Sequence, residues 1–223
     1  MRAASGLRLL LVSALTVVLC IAVACENKTC TCEVEDDYYT RSSPDELLSA
    51  YAHALVSKNL AACDECLHEK YIFEFTSDIA ETLGLPPDAP WWGKTEDMSA
   101  TQNMFNASNV TSIEMTFIRI TDWLRCLEVR PGSPPDTLAA LQADLDPDIK
   151  VTVETGEDPT TYWVNDSRFN VAVTVDPAET DLWVILRITE AKKNPRAGRI
   201  RAVGTATEGS TFGGIKSMFW EDR

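Results

Sequence analysis

The sequence predicts an α+β fold: a curved antiparallel sheet wrapped around N-terminal helices to form a cone, with a short helix at the C-terminus. Two observations indicate this class. Apolar residues recur at helical spacing between Leu47 and Leu67, and alternating or continuous apolar runs typical of strands dominate from Ile113 onward. Helices that precede a series of antiparallel strands pack on one face of the sheet, which is the α+β arrangement.

The first segment of the chain has the composition of an export signal. Arg2 and Arg8 precede an apolar run from Leu9 to Val23, which is too short and too early for a good transmembrane helix and closes on small residues. We therefore expect residues 1–24 to be a signal peptide.

Cys25 directly follows the small residue Ala24, an arrangement that resembles the lipobox of bacterial lipoproteins. The resemblance implies that the Cys25 thiol is acylated and anchors the protein in the cell envelope, facing the periplasm or the exterior. An ordinary signal peptide cut near Ala22 or Ala24, or an uncleaved anchor, would leave Cys25 as a plain cysteine. These alternatives stay open at the level of the sequence.

The charge balance limits the partners. The chain has 20 basic and 34 acidic residues, and its net charge of -14 becomes about -16 when residues 1–24 leave with their two arginines. Such a surface repels phosphate backbones and anionic headgroups, so we expect no nucleic-acid partner and membrane contact only through the lipid. Residues 25–42 are polar and acidic without an apolar period, and we expect them to form an extended tether.

Five cysteines remain beyond the signal and the lipidated position: Cys30, Cys32, Cys63, Cys66 and Cys126. A zinc site is disfavoured, because the first two lie in the tether and the 63/66 pair has only His68 nearby. Cys63 and Cys66 lie one helical turn apart, where a disulfide is awkward, so buried thiols on a packing helix are the favoured interpretation. We expect no metal and no cofactor.

The folded region opens on a strong helix-start signal. Ser43 suits the N-cap, Pro44 the first helical position, and Glu46 completes a capping box. Residues with helical spacing follow in a first helix (Leu47, Leu48, Tyr51, Leu55) and a second, shorter one (Leu60, Cys63, Leu67).

In the middle of the chain, the sequence predicts two strands with a helix between them. Residues 71–75 place three aromatic side chains on one face of a strand, and a helix is expected around Glu96–Phe105 with Met98 and Phe105 inward. Ile113, Met115 and Phe117 share one face of a further strand.

A short amphipathic helix is expected where Leu138, Leu141 and Leu145 precede Pro147. The remaining strand-like runs are Ile149–Glu154, Arg168–Val175, Leu182–Thr189 and Arg199–Val203. Leu182–Leu186 has almost no polar face and predicts a central strand. A turn and a short helix end the chain within residues 209–219.

In this order of elements the chain resembles the nuclear transport factor 2-like (ketosteroid isomerase-like, SnoaL-like) superfamily. The likeness rests on these segments: Ser43–Leu48 opening a long helix, Asn59–Ala61 leading into a second, His68–Phe75 entering the first strand, Trp92-Gly93 before the third helix, and Thr211–Lys216 at the end. It implies one domain over residues 43–223 and an apolar pocket inside the cone.

Six aromatic side chains are the candidates to line such a pocket: Tyr71, Phe73, Trp92, Phe105, Phe117 and Trp123. Enzymes of this superfamily place an acid or a histidine inside the cone, and Glu74, Asp122 and His68 are available for that role. No catalytic motif of the family matches residue by residue, so we assign no catalytic residue.

Three functions follow as hypotheses. The first is a non-enzymatic lipoprotein whose domain binds a small apolar ligand or a protein. The second is an isomerase or dehydratase that uses an acid or histidine inside the cone. The third is a dimeric assembly module of the cell envelope. A buried carboxylate or histidine facing apolar walls would favour the enzyme, and a stable dimer would favour the module.

Overall fold

The computed structural model describes residues 40–130, 136–154, 159–164, 167–192, 207–208 and 211–220. The expected signal peptide, Cys25, nearly all of the tether and the strand expected at Arg199–Val203 lie outside the described residues. No helix in the described part is long and apolar enough to cross a membrane.

The described residues form five helices and nine strands, numbered here in chain order. The helices are α1 (Pro44–Val56), α2 (Leu60–Glu65), α3 (Ser77–Thr82), α4 (Lys94–Asn106) and α5 (Phe212–Ser217). The strands are β1 (Leu67–Glu74), β2 (Trp91–Gly93), β3 (Val110–Arg119), β4 (Leu124–Arg130), β5 (Asp136–Glu154), β6 (Pro159–Val164), β7 (Ser167–Val175), β8 (Trp183–Lys192) and β9 (Thr207–Glu208).

All nine strands belong to one sheet, in the order β2-β1-β8-β7-β5-β6-β9, with β3 and β4 both paired to β5. Most pairs are antiparallel, whereas β1–β8 and β6–β9 are parallel. The sheet curls strongly, so that strands distant in the order meet: Lys70 of β1 pairs with Asp136 of β5, and Arg187 of β8 pairs with Glu128 of β4. The α+β class, the curved sheet and the short C-terminal helix are confirmed.

The prediction of a helix around Leu138, Leu141 and Leu145 is wrong, because these residues lie in the 19-residue strand β5. The leucine spacing is compatible with a helix, but buried residues in β5 alternate from Ala143 to Val153, which is the strand period. Antiparallel partners on both sides of β5 then fix the strand. Segment 136–142 pairs with β4, and 141–145 pairs with β7.

Pro147 lies inside β5, although proline cannot donate a ladder hydrogen bond. On one side it is opposite Phe117 of β3. On the other side the pairing with β7 stops at Leu145 and the pairing with β6 starts at Ile149. The missing N–H therefore falls at the junction between two flanking strands, where it interrupts neither ladder.

Helix α1 forms as its sequence predicts. The Ser43 hydroxyl accepts a hydrogen bond from the Glu46 N–H at 3.2 Å, which confirms the N-cap. The Glu46 carboxylate accepts from the N–H of Ser42 rather than from that of Ser43, so the reciprocal half of the box is shifted by one residue. Seven residues of α1 are buried and place this helix against the sheet.

Helix α4 forms where expected but presents a different face to the core. Met98 and Phe105 are half-buried, whereas the fully buried face consists of Asp97, Ala100, Thr101 and Met104. Apolar periodicity pointed to the wrong stripe because a charged residue stands at the centre of the buried one. Strand β8 lies between β1 and β7, which confirms the central strand predicted from Leu182–Leu186.

Candidate functional site

The six candidate pocket aromatics divide into two groups. Tyr71, Phe73 and Trp92 are buried, with exposed fractions of 1%, 0% and 3%. The other three, Phe105, Phe117 and Trp123, are half-buried and pack against the same core.

The rings inside the sheet pack against one another. Phe73 lies with its ring centroid 5.0 Å from Phe75, 6.4 Å from Phe169 and 6.1 Å from Phe212. Edge-to-face and tilted contacts of this kind stabilise a closely packed core. The aromatic side chains therefore fill the space in which the resemblance places a pocket.

A buried ion pair lies in this core. The Lys216 Nζ of α5 donates to both carboxylate oxygens of Asp97 on α4, at 2.7 and 2.8 Å, and both side chains are fully buried. The same ammonium lies 4.7 Å from the ring centroid of Phe212 and 5.5 Å from that of Phe73. Bidentate hydrogen bonding and cation–π contacts replace part of the hydration that the charges lose.

Burial dominates the titration of the groups around this ion pair. Burial, with a smaller contribution from the Asp97 charge, raises the pKa of Tyr51 and Tyr71 well above 10.0. Burial also raises the pKa of the Cys63 and Cys66 thiols to about 12. Both cysteines are buried thiols without a disulfide, as the sequence favoured.

A second buried carboxylate, Glu190 of β8, attaches α5 to the sheet. It accepts hydrogen bonds from the Ser167 hydroxyl at 2.8 Å and from the N–H groups of Phe212 and Gly213 at 2.7 and 3.0 Å. Burial raises the pKa of Glu190, although the three donors oppose the shift. Sequence reasoning missed both Glu190 and Asp97, because acidic residues carry no signal of burial in a chain this acidic.

The three residues considered for acid–base chemistry lie apart from one another. The Glu74 carboxylate accepts from the Thr189 hydroxyl at 2.7 Å. Asp122 has a side chain that is 97% exposed and pairs with Arg119. His68 is buried in β1, and its Nδ1 accepts from the Lys70 N–H at 2.9 Å. The structure does not bring them together into one site.

An open groove of about 680 Å³ lies elsewhere on the sheet, across β4, β5, β7 and β8. Nine residues line it: Arg125, Cys126, Leu127, Ala139, Ala140, Leu141, Thr174, Val175 and Trp183. We call it the sheet-face groove. Leu141 and Trp183 pack against the core, whereas Leu127 is 72% exposed. The volume is within the range typical of small-molecule sites, and most of the lining is apolar.

The strand register explains the lining. Leu127 of β4 is opposite Ala139 of β5, and Val175 of β7 is opposite Trp183 of β8. From Arg125 onward exposure alternates along β4, so that Arg125, Leu127 and Val129 share one face while Cys126 and Glu128 are half-buried. This alternation is visible in the sequence, but the neighbouring strands that complete the groove are not.

A smaller groove of about 490 Å³ lies between α1 and β3. Its lining includes Phe117, the one pocket candidate that reaches either groove, together with His53, Met115 and the Arg119–Asp45 ion pair, whose N–O distance is 3.1 Å. Trp123 lies beside it and donates its indole N–H to Asp45 at 3.1 Å. The Asp45 carboxylate at this groove is therefore already bound by Arg119 and Trp123.

The described chain is thus an α+β domain with a filled core and open grooves on its surface. No protein-family model matches the sequence, and no curated protein matches it. Solved structures similar to it include a conserved protein from Planctomyces limnophilus, with 13% identity and a TM-score of 0.42 over 66% of this chain and 91% of that one.

A second similar structure is a nuclear transport factor 2-like superfamily protein from Salmonella enterica, with 12% identity and a TM-score of 0.39 over 74% of this chain and 94% of that one. A third is ActVI-ORFA from Streptomyces coelicolor, with 9% identity and a TM-score of 0.39 over 66% of this chain and 91% of that one.

Proposed function

We propose that this chain is an exported protein, anchored to the membrane by a lipid on Cys25, whose domain binds a small, mainly apolar ligand without transforming it. The observation that carries the proposal is the sheet-face groove, which combines a volume of about 680 Å³ with a lining of leucine, alanine, valine and tryptophan side chains. A groove of this kind removes apolar surface of a ligand from water, which is the main driving force for binding.

The side chains that line the sheet-face groove support binding rather than catalysis. The lining of the sheet-face groove contains no aspartate, glutamate or histidine. The buried carboxylates Asp97 and Glu190 are both engaged by structural partners, namely Lys216 and the start of α5. An isomerase or dehydratase needs a group that can exchange a proton with the bound ligand.

Octanol is a suitable neutral probe for the groove. We expect isothermal titration calorimetry of the intact protein to detect octanol binding, and Leu127→Asp to weaken it by about tenfold or more, because the new carboxylate loses hydration when the ligand binds. Ile118→Asp is the matched control, since Ile118 is 62% exposed and lies on β3 outside the groove. The proposal would be contradicted if the two substitutions weakened octanol binding equally. It would also be contradicted if the unaltered protein bound no octanol.

The anchor is tested separately. We expect Cys25→Ala to release the protein from the membrane fraction, since a lipobox without its cysteine cannot be acylated. Cell fractionation followed by mass spectrometry of the N-terminus gives the readout. A variant that is cleaved normally, yet remains in the membrane fraction, would show that something other than a lipid on Cys25 holds the protein there.

A dimeric assembly role is the second candidate. Exposed apolar side chains concentrate along β3, β4 and the residues that connect them: Ile118, Ile120, Leu124, Leu127 and Val129. Within the described residues β4 pairs only with β5, so its outer edge has no partner strand.

If this edge forms a dimer, light scattering of the intact protein will give a dimer mass that does not change on dilution, and Leu124→Lys will give the monomer mass. A monomer at every concentration removes this candidate.

A further inference from the structure

We propose, building on the function proposed for the sheet-face groove, that its ligand is an amphipathic anion: a carboxylate on an extended apolar chain, with the carboxylate bound by Arg125. The donors and acceptors that line the groove point to this ligand class, and Arg125 is the residue that determines it.

Arg125 is the one charged residue of the lining, and in the described part of the chain its guanidinium makes no ion pair. The acidic residues nearest to Arg125 in the sequence form ion pairs with other arginines. Glu128 is engaged by Arg187, with N–O distances of 3.0 Å for both contacts, and Asp122 pairs with Arg119. The Arg125 guanidinium is therefore available to an anionic ligand.

Trp183 supplies a further donor. Two other tryptophans donate their indole N–H to carboxylates, Trp123 to Asp45 and Trp163 to Asp148, whereas that of Trp183 makes no hydrogen bond within the described residues. The Thr174 hydroxyl donates to the Ala139 carbonyl and is already satisfied. The side chains of the groove therefore offer charged and neutral donors but no acidic acceptor, which selects a ligand that carries an acceptor.

The spacing of these groups suits an extended molecule. Arg125 lies on β4 and Trp183 on β8, three strand steps apart through β5 and β7. Strands lie about 4.8 Å apart, so three steps correspond to a path of about 14 Å along the sheet. Leu141 and Val175 lie on the two strands between them and provide an apolar floor for an alkyl chain.

The test compares three probes with the same chain and different head groups: octanoate, octanol and octylamine. Calorimetry of the intact protein is expected to show octanoate binding about tenfold more tightly than octanol, and octylamine most weakly, as a charge-assisted hydrogen bond requires. Arg125→Gln is expected to bring octanoate and octanol to nearly equal affinity. Arg168→Gln, at an exposed arginine outside the groove, is the matched control and is expected to keep the preference.

The outcomes separate this inference from the proposed function. If octanol and octanoate bind equally to the unaltered protein, or Arg125→Gln leaves the preference intact, the anion inference is overturned while the apolar groove stands. If no probe binds, the proposed function fails and this inference with it. A preference for octanoate that Arg125→Gln abolishes, and that weakens as salt is raised, supports the assignment.

Discussion

Replacing Lys216 with methionine is expected to destabilise the protein by about 3–5 kcal/mol, because it leaves the Asp97 carboxylate buried without its counter-ion. Methionine keeps the length of the side chain, so the main change is the loss of the ammonium that donates to Asp97 at 2.7 and 2.8 Å. The pair joins α4 to α5 across 119 positions of the sequence. Its rupture should therefore release the C-terminal helix.

Urea unfolding of the intact protein, followed by tryptophan fluorescence, measures this effect. Lys150→Met is the matched control: Lys150 pairs with Glu114 at the surface, and its loss should cost at most about 1 kcal/mol. The double variant Asp97→Leu/Lys216→Met should recover most of the stability, since a hydrophobic replacement of the whole pair avoids the unpaired charge. A Lys216→Met protein as stable as the Lys150→Met protein would show that the pair does not hold α5.

Substitution of Glu190 should have the next largest effect. Glu190→Ala removes the acceptor of three buried donors, the Ser167 hydroxyl and the N–H groups of Phe212 and Gly213. We expect it to lower the free energy of unfolding by about 3 kcal/mol. Glu190→Gln keeps one acceptor oxygen and should cost less. Glu74→Gln is the matched control, because Glu74 is half-buried on β1 and accepts only from Thr189.

The pH dependence of stability gives an independent readout of Glu190. Its folded pKa is raised above the ordinary 4.5, so the folded state holds this proton more tightly than the unfolded state does. The contribution of Glu190 to stability is therefore largest below 4.5 and declines as pH rises through the raised folded value. The difference in unfolding free energy between the unaltered protein and Glu190→Gln should change in that window. A constant difference would contradict the raised pKa.

Local patterns in the sequence correctly predicted those elements that depend on residues close together in the chain. The cap at Ser43, the aromatic face of residues 71–75 and the central strand at Leu182–Leu186 all depend on neighbours in the chain, and all three are confirmed. The leucines at 138, 141 and 145 were misassigned because their spacing fits a helix. Pairing with distant strands determined the outcome, and such pairing leaves no local signal.

The candidate site was harder to predict for the same reason. The aromatics Tyr71, Phe73 and Trp92 carry the apolar signal that a pocket and a core share, and the structure places them in the core. The sheet-face groove depends on four strands that come together only in the fold, so Arg125 and Trp183 could not be connected from the sequence.

Hydrogen exchange of the intact protein, measured by mass spectrometry with and without octanoate, tests most directly where the ligand binds. The proposed function predicts slower exchange in segments 124–130 and 183–188, which border the sheet-face groove, and unchanged exchange in α1 and β3. Slower exchange confined to α1 and β3 would place the ligand in the smaller groove beside His53 and would contradict binding at the sheet-face groove.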